Sequence, residues 1–408
     1  MPTITRREAA GLLLAGAALA PRLRAAVSID DTLRQGIERR KIPAVSAVVA
    51  GPEKIIYSGA FGKRDGSSGM NVKADSIYRI ASMTKAITTT AAMQLVEQGK
   101  VSLTVPAAKY LPELGKLEVL EGFDAAGKPM LRPAKKQIEL RHLLTHTSGF
   151  VYANWDGKLT RYNKATGNAP PPGEVAPLTP LAFEPGTRWQ YGTGIDWAGK
   201  LVESVSGLSL EEYFQRNILK PLGMVDTTFI LPETKFSRLV STYRRQPGGA
   251  LKEDPRTMPQ PPKAFNGGGG LFSTAPDYIK FTQMILRKGR AADGHPILAA
   301  KTVDMMTSSQ TGSVNVQKLI SADPNVSADV DLHPGAADKY TYGFLLNPVA
   351  YEGGRSAGSL AWAGIENTFY WIDPQKALTA VIMMQFFPFV DREAVGMLHD
   401  FEQAVYAA

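Results

Sequence analysis

The 408-residue chain contains no cysteine. Disulfide frameworks, thiolate metal sites, a cysteine nucleophile and a lipidated N-terminal cysteine are therefore excluded together. Histidine is scarce. The five, at positions 142, 146, 295, 333 and 399, form no metal-ligand cluster. His142 and His146 are spaced i, i+4, but without an intervening Glu and a third ligand they read as structural, so no metal or cofactor is expected. The one G-x-S-x-G, Gly354-Arg355-Ser356-Ala357-Gly358, is followed by a strand-like run and not by a helix, so it does not read as the strand–turn–helix serine elbow. The Gly267–Gly270 run lacks the following lysine of a phosphate loop and reads as a turn of close backbone approach, before a helix capped near Ser273–Thr274. No apolar run reaches the about 20 residues needed to cross a bilayer.

What is present begins with a patterned N-terminus. Paired Arg6 and Arg7 precede the twelve-residue apolar run Ala9–Ala20, followed by Pro21, Arg22, Arg24 and small Ala25 and Ala26. That order of charge, short apolar run and small residues is the order of a signal peptide, and the twin arginines with weak Gly/Ala hydrophobicity resemble a twin-arginine leader. Residues 1–26 are thus expected to be a leader, and the mature protein periplasmic or secreted. They also carry part of the +8 charge. Without their four arginines and Glu8, the remaining 382 residues hold 42 basic and 37 acidic side chains, a net of +5. The remaining basic residues are scattered rather than striped among aromatics, which disfavours nucleic acid as a partner.

Residues 27–408 read as one α/β (α+β) unit. Ser28–Arg40 has helical apolar spacing and is stopped by Pro43. Ala44–Ala50 and Lys54–Phe61 read as a hairpin around Gly51-Pro52. Strand-like runs recur late, at Tyr342–Leu346, Ser359–Ala361, Asn367–Ile372 and Leu378–Gln385, before an amphipathic run from Arg392 to Val405. One antiparallel sheet built from both chain ends (27–81 and 340–408) and flanked by helices is expected, with a largely helical region (82–339) inserted.

Three stretches carry chemistry. In the first, a strand-like run ends at Ala81 and a helix-compatible run follows to Gly99, so Ser82 falls in a first helical turn, where unpaired N–H groups favour an anion. Lys85, at i+3, faces the same way. A serine needs a neighbouring base to become a nucleophile. A desolvated lysine is either that base or the cation that holds a second base as an anion. Alone, S-x-x-K fits an N-cap serine and a solvated lysine equally well, but this helix is too rich in Thr and Ile to be exposed. In the second stretch, Tyr191 follows the Glu184-Pro185-Gly186 turn and precedes small residues including Thr193. It is a candidate general base facing Lys85, or else a core tyrosine. In the third, small residues around Gly364 either offer a backbone N–H to an oxyanion beside that of Ser82 or mark a bulge in a buried strand pair. Phe150, Tyr152 and Trp155 either wall a substrate cleft or pack in the core.

Taken together, Ser82-x-x-Lys85, Tyr191-x-Thr193 and Trp362-Ala363-Gly364 resemble, in order and spacing, the serine β-lactamase and penicillin-binding-protein superfamily. Arg141–Gly149, Phe183–Gly186 and Gly267–Thr274 extend the likeness over the mature chain, which is most similar to the class C-like branch and the family VIII carboxylesterases. The resemblance implies Ser82 as acylated nucleophile, Lys85 and Tyr191 as its activating pair, and the N–H groups of Ser82 and Ile365 as oxyanion hole. Trp362, Gly364, Thr193, Tyr152 and Trp155 are the candidate substrate-binding residues. Two departures matter. Class C β-lactamases have Lys-Thr-Gly where this chain has Trp362-Ala363-Gly364, and Tyr-x-Asn where it has Thr193; both favour a neutral small-molecule ester over an anionic lactam. Ala363 also adds a methyl to the Trp-Gly-Gly usual in the esterases. The expected activity is ester hydrolysis. The alternatives are β-lactam hydrolysis, D-amino-acid peptidase activity or acyl transfer on the same scaffold, and a sensor that acylates without turnover.

Overall fold

The computed structural model describes residues 28–168 and 178–408; the expected leader lies outside them. Ser28 caps α1 (Ile29–Arg40) by accepting from the Asp31 N–H at 3.1 Å, with acids in its first turn and Arg39 and Arg40 in its last. The chain then forms the β1 (Ala44–Ala50) and β2 (Ile55–Gly62) hairpin. A two-residue strand, β3 (Tyr78–Arg79), leads through one 3₁₀ turn at Ala81–Met83 into α2 (Thr84–Glu97). The strand-like run before Ser82 is therefore mostly not strand.

Helices dominate the inserted region without filling it. A hairpin, β4 (Glu118–Phe123) with β5 (Pro129–Pro133), is followed by α3 (Leu140–Leu144), α4 (Gly157–Thr166), α5 (Gly194–Ser206) and α6 (Leu210–Phe214). Short strands β6 (Tyr243–Arg245), β7 (Leu251–Glu253) and β8 (Phe272–Ser273) precede α7 (Ala275–Leu286), capped by Thr274, and α8 (Ala300–Thr307). The β4–β5 hairpin is silent in the sequence, because its charged, Pro-ended strands are half exposed and lack an apolar alternation.

The C-terminal part supplies β9 (Lys339–Tyr340), β10 (Leu345–Leu346), β11 (Leu360–Gly364), β12 (Thr368–Asp373), β13 (Leu378–Met383), β14 (Phe386–Phe387) and α9 (Arg392–Ala407). The expected strand at 342–346 is broken: Gly343 takes a φ of 95° in a turn closed by the Thr341 N–H on the Phe344 carbonyl. The main sheet runs β2-β1-β13-β12-β11-β10-β9, every neighbour antiparallel. Both chain ends thus build one sheet, as the sequence implies.

Successive side chains of a strand point to opposite faces, and β12 shows what that requires here. Trp371 meets Phe401 of α9, with ring centroids 5.5 Å apart, while its neighbour Tyr370 meets Tyr278 of α7 at 5.1 Å. A strand covered on both faces reads as the continuous apolar run it is. The C-terminal helix is tied down further by Glu402. Its carboxylate receives Arg355 Nε at 2.9 Å, Nη2 at 2.6 Å and the Arg355 N–H at 3.0 Å, with both side chains only 7% exposed. Burial alone would raise the Glu402 carboxyl, yet Arg355 more than offsets this and holds it below the ordinary carboxylate value.

Breaking a buried pair from one side costs about 3 kcal/mol or more, because the partner charge stays behind. Glu402→Gln should lower the unfolding free energy by about that amount, read from the denaturant midpoint at neutral pH. The lowered folded-state value fixes the sign with pH: the gap between parent and variant is full above the ordinary carboxylate range and closes as the pH falls below it.

Candidate active site

The turn carrying Ser82 is held from four sides. The Ile80 N–H donates to the Leu271 carbonyl at 3.1 Å, and the Tyr278 hydroxyl donates to the Met83 carbonyl at 2.8 Å. The Thr84 hydroxyl accepts from the Leu271 N–H at 3.2 Å. On the fourth side, β11 lies so close that a Cβ on Gly364 would run into the Ile80 carbonyl and the Thr368 hydroxyl. Ala81, between them, adopts a φ of 43°, which costs a non-glycine residue about 1–3 kcal/mol and persists only where surroundings over-determine it. Ser82 itself is partly exposed.

Behind it, α2 is buried from Thr84 to Leu95. Two of its threonines use their hydroxyls on backbone carbonyls, Thr90 on Ala86 at 3.0 Å and Thr88 on Gly267 at 2.6 Å, which lets a polar sequence enter the core, while Thr89 Oγ1 has no hydrogen-bond partner among the described residues. Lys85 has no exposed surface. Its Nζ donates to Ser82 Oγ at 3.1 Å, the Tyr152 hydroxyl at 3.0 Å and the Gly268 carbonyl at 2.5 Å. The Tyr191 and Tyr152 rings lie 4.9 and 5.1 Å from the same nitrogen. Beyond Tyr152, its hydroxyl donates to Asp196 Oδ2 at 3.2 Å. Asp196 is 2% exposed; burial pushes its carboxyl up, against the pull of Lys85 and the Tyr152 hydroxyl. Burial and the nearby carboxylate push Tyr152 well above the ordinary tyrosine value, so it keeps its proton.

Tyr191 is buried, and among the described residues its hydroxyl has no hydrogen-bond partner. His146 packs edge-on against it at 4.8 Å, within a cluster completed by Trp189, Tyr340 and Trp362. Burial first, and Lys85 second, lower His146 well below the ordinary histidine value, so the ring is neutral. His142 instead caps α3, accepting the Glu139 N–H at 3.2 Å, and burial with Arg141 lowers it to about 4. The two histidines do separate structural work.

Ser82 and Tyr191 open on a cavity of about 20 Å³, walled by Trp155, Leu319, Val330, Leu332, Trp362, Ala363, Ile365 and Phe389. A second cavity of about 200 Å³ lies beyond Trp362, which lines both, and takes in His333, Tyr351, Arg355 and His399. Of the expected substrate-binding residues, Trp155 and Trp362 wall the smaller cavity, and Ile365 adjoins Ser82 there. Tyr152 stands behind Lys85 instead. Thr193 is buried at the N-terminal end of α5, and Gly364 serves as the point where β11 meets the serine turn. Phe150 is core, stacked on Trp197 at 5.7 Å.

Sequence reasoning missed the acid. Asp196 stands among Ile195 and Trp197 at the start of α5, and a carboxylate in so apolar a helical start was its one signal. The apolar wall from Leu319, Val330 and Leu332 left no signal, since it comes from an irregular segment without period.

Gly364→Ala should drive β11 off the Ile80 carbonyl. The expected outcome is a loss of about 1–3 kcal/mol in stability by denaturation. Any activity that depends on Ser82 should fall about a hundredfold in the folded fraction, because a shift of order 1 Å at a reacting atom has that effect.

The Beta-lactamase family profile matches residues 29–403. Monacolin J acid methylbutanoyltransferase of Aspergillus terreus is 33% identical, over 93% of this chain and 95% of the relative. Lovastatin esterase of Penicillium rubens is 32% identical, over 88% and 92%. The unliganded structure of simvastatin synthase from Aspergillus terreus superposes with a TM-score of 0.80 at 30% identity, covering 93% of this chain and 97% of that one. The likeness runs along nearly the whole described length, and the chain belongs to the β-lactamase-like superfamily of serine hydrolases and acyltransferases.

Proposed function

We propose that the protein cleaves neutral carboxylic esters through an acyl-enzyme on Ser82. The observation that carries this reading is the fully buried Lys85, donating to Ser82 Oγ at 3.1 Å with the Tyr191 ring 4.9 Å away, behind a cavity walled by apolar side chains. In the proposed step Tyr191 takes part as the phenolate facing the Lys85 ammonium: Ser82 Oγ attacks the ester carbonyl and passes its proton to that phenolate oxygen. The Ser82 and Ile365 N–H groups receive the developing oxyanion. Collapse breaks the bond to the alcohol oxygen, which takes the proton back from Tyr191. An acceptor then enters, gives its proton to Tyr191 and attacks the acyl carbon; the acyl–Oγ bond breaks as Tyr191 returns that proton to Ser82 Oγ, which restores the starting state. The indole of Trp362 at the cavity wall, where class C enzymes carry a lysine, supports a neutral acyl group over an anionic lactam.

A second reading differs only in the acceptor. An alcohol in place of water would make the protein an acyltransferase, and the 33% identity to a methylbutanoyltransferase over 93% of the chain supports it. The pattern of residues 1–26 supports export of the mature enzyme by the twin-arginine route. Fractionation of cells expressing the parent chain or the double variant Arg6→Lys with Arg7→Lys tests this, and an unchanged distribution overturns it.

The reaction is tested with short p-nitrophenyl esters and nitrocefin, with and without a secondary alcohol. The parent should turn over the esters and show a mass increase on Ser82, with little nitrocefin hydrolysis. Ser82→Ala should lose about 10³-fold or more of the rate. New ester in the presence of the alcohol assigns acyl transfer. A stable acyl adduct without turnover means a sensor, and activity surviving in Ser82→Ala overturns the mechanism.

A further inference from the structure

Lys85 is the cation of a hydrogen-bond chain that does not stop at the serine. Its three donors are all committed, to Ser82 Oγ, the Tyr152 oxygen and the Gly268 carbonyl. Tyr152 spends its own proton in the other direction, on Asp196 Oδ2. The buried carboxylate is tightly seated: a Cβ on Gly268 would collide with it. Its second oxygen, Oδ1, has no partner among the described residues, so a proton placed there would find no acceptor. The charged and titratable groups facing this chain are Lys85 on α2, Tyr152, Tyr191, Tyr340 on β9 and the neutral His146, and Lys85 is the cation that Asp196 meets.

We propose that Asp196 is a positioning residue: its carboxylate, acting through the Tyr152 hydroxyl, fixes the donors of the Lys85 side chain and so directs the Ser82 proton toward Tyr191. The directions follow from counting donors. Because Lys85 donates to Ser82 Oγ, that oxygen's own hydrogen points elsewhere. Because Tyr152 donates to Asp196, its oxygen is left free to accept from Lys85. Asp196 gains no proton at any step; the proton leaving Ser82 goes to Tyr191 and returns from it to the departing alcohol. The role rests on the acyl-enzyme reading and adds the group that decides which base takes the proton.

The test uses the full chain and the p-nitrophenyl ester that the parent turns over best. Asp196→Asn removes one negative charge from a buried cluster, so every group left there releases its proton more readily. Both limbs of the pH–rate profile should therefore move to lower pH, by about one unit. kcat should fall about tenfold or more, a part of the about 10²- to 10⁴-fold that positioned proton transfer supplies, with KM within about twofold. Asp196→Glu should bring the profile back toward the parent's. Tyr152→Phe, which keeps the ring and cuts the chain, should lower kcat with KM held, and adding it to Asp196→Asn should cost little more, as for residues acting as one unit. An unmoved profile in a folded Asp196→Asn overturns the proposal. So does parental kcat in Tyr152→Phe, which decides the matter if Asp196→Asn does not fold. A parent that forms no Ser82 acyl-enzyme instead overturns the underlying reading.

Discussion

A lysine with no exposed surface is the constraint around which the two parts of this molecule are arranged. Taking an ammonium out of water costs several kcal/mol even after the protein relaxes, unless each of its protons finds an acceptor. Lys85 finds three, and they come from three places in the chain: the serine one turn back, a tyrosine after α3, and a carbonyl in the glycine run before β8. The flat faces of two tyrosines cover what remains. The glycines at 267 and 268 are needed for approach. Side chains there would meet Thr88 and the backbone of α5 in one case and the Asp196 carboxylate in the other. α2 can be buried from Thr84 to Leu95 because Thr88, Thr90 and Gln94 bond to backbone carbonyls and Lys85, the charge in that stretch, is met.

The sheet meets the serine turn through Gly364. Gly364 ends β11 against the Ile80 carbonyl, and Thr368, its partner across the β11–β12 ladder, lies 3.5 Å from the same oxygen. The serine turn is therefore pinned between a strand from one part of the chain and the Leu271 backbone from the other. That explains how Ala81 keeps a left-handed backbone without glycine. Strain at this turn is maintained by its neighbours, and the neighbours are the two parts of the fold.

How far the sequence spoke depended on whether a property is local. Ser82 and Lys85 share a helical face three residues apart, so their meeting is a matter of helix geometry. The closure of the sheet by both ends was legible because β1, β12 and β13 are continuous apolar runs, the pattern of strands covered on both faces. Tyr191 was legible because a turn and a run of small residues frame it. Tyr152 was visible as an aromatic in a loop, but that its hydroxyl rather than its ring matters depends on Lys85, 67 residues away. Asp196 depends on both. The apolar cavity wall could not be read at all: Leu319 and Val330 face each other through a single isolated bridge in an irregular segment, held to Phe389 by Ser327. No period marks such residues.

The same dryness that makes Lys85 demanding also bears on the fate of an acyl group on Ser82. The cavity at the serine holds about 20 Å³ beside aromatic and aliphatic walls, so an acyl chain there displaces the little space open to solvent. Trp362 lines both this cavity and the larger one, its indole N–H buried and without a partner among the described residues. Where a relative with a lysine would meet an anion, this chain presents a flat apolar surface with one unspent donor. A neutral oxygen on the incoming molecule is what that donor can satisfy. On the proposed acyl-enzyme reading, partition between water and an alcohol would be set less by Ser82, Lys85 and Tyr191, which would treat the two alike, than by what can lie against Trp362 and still reach the acyl carbon.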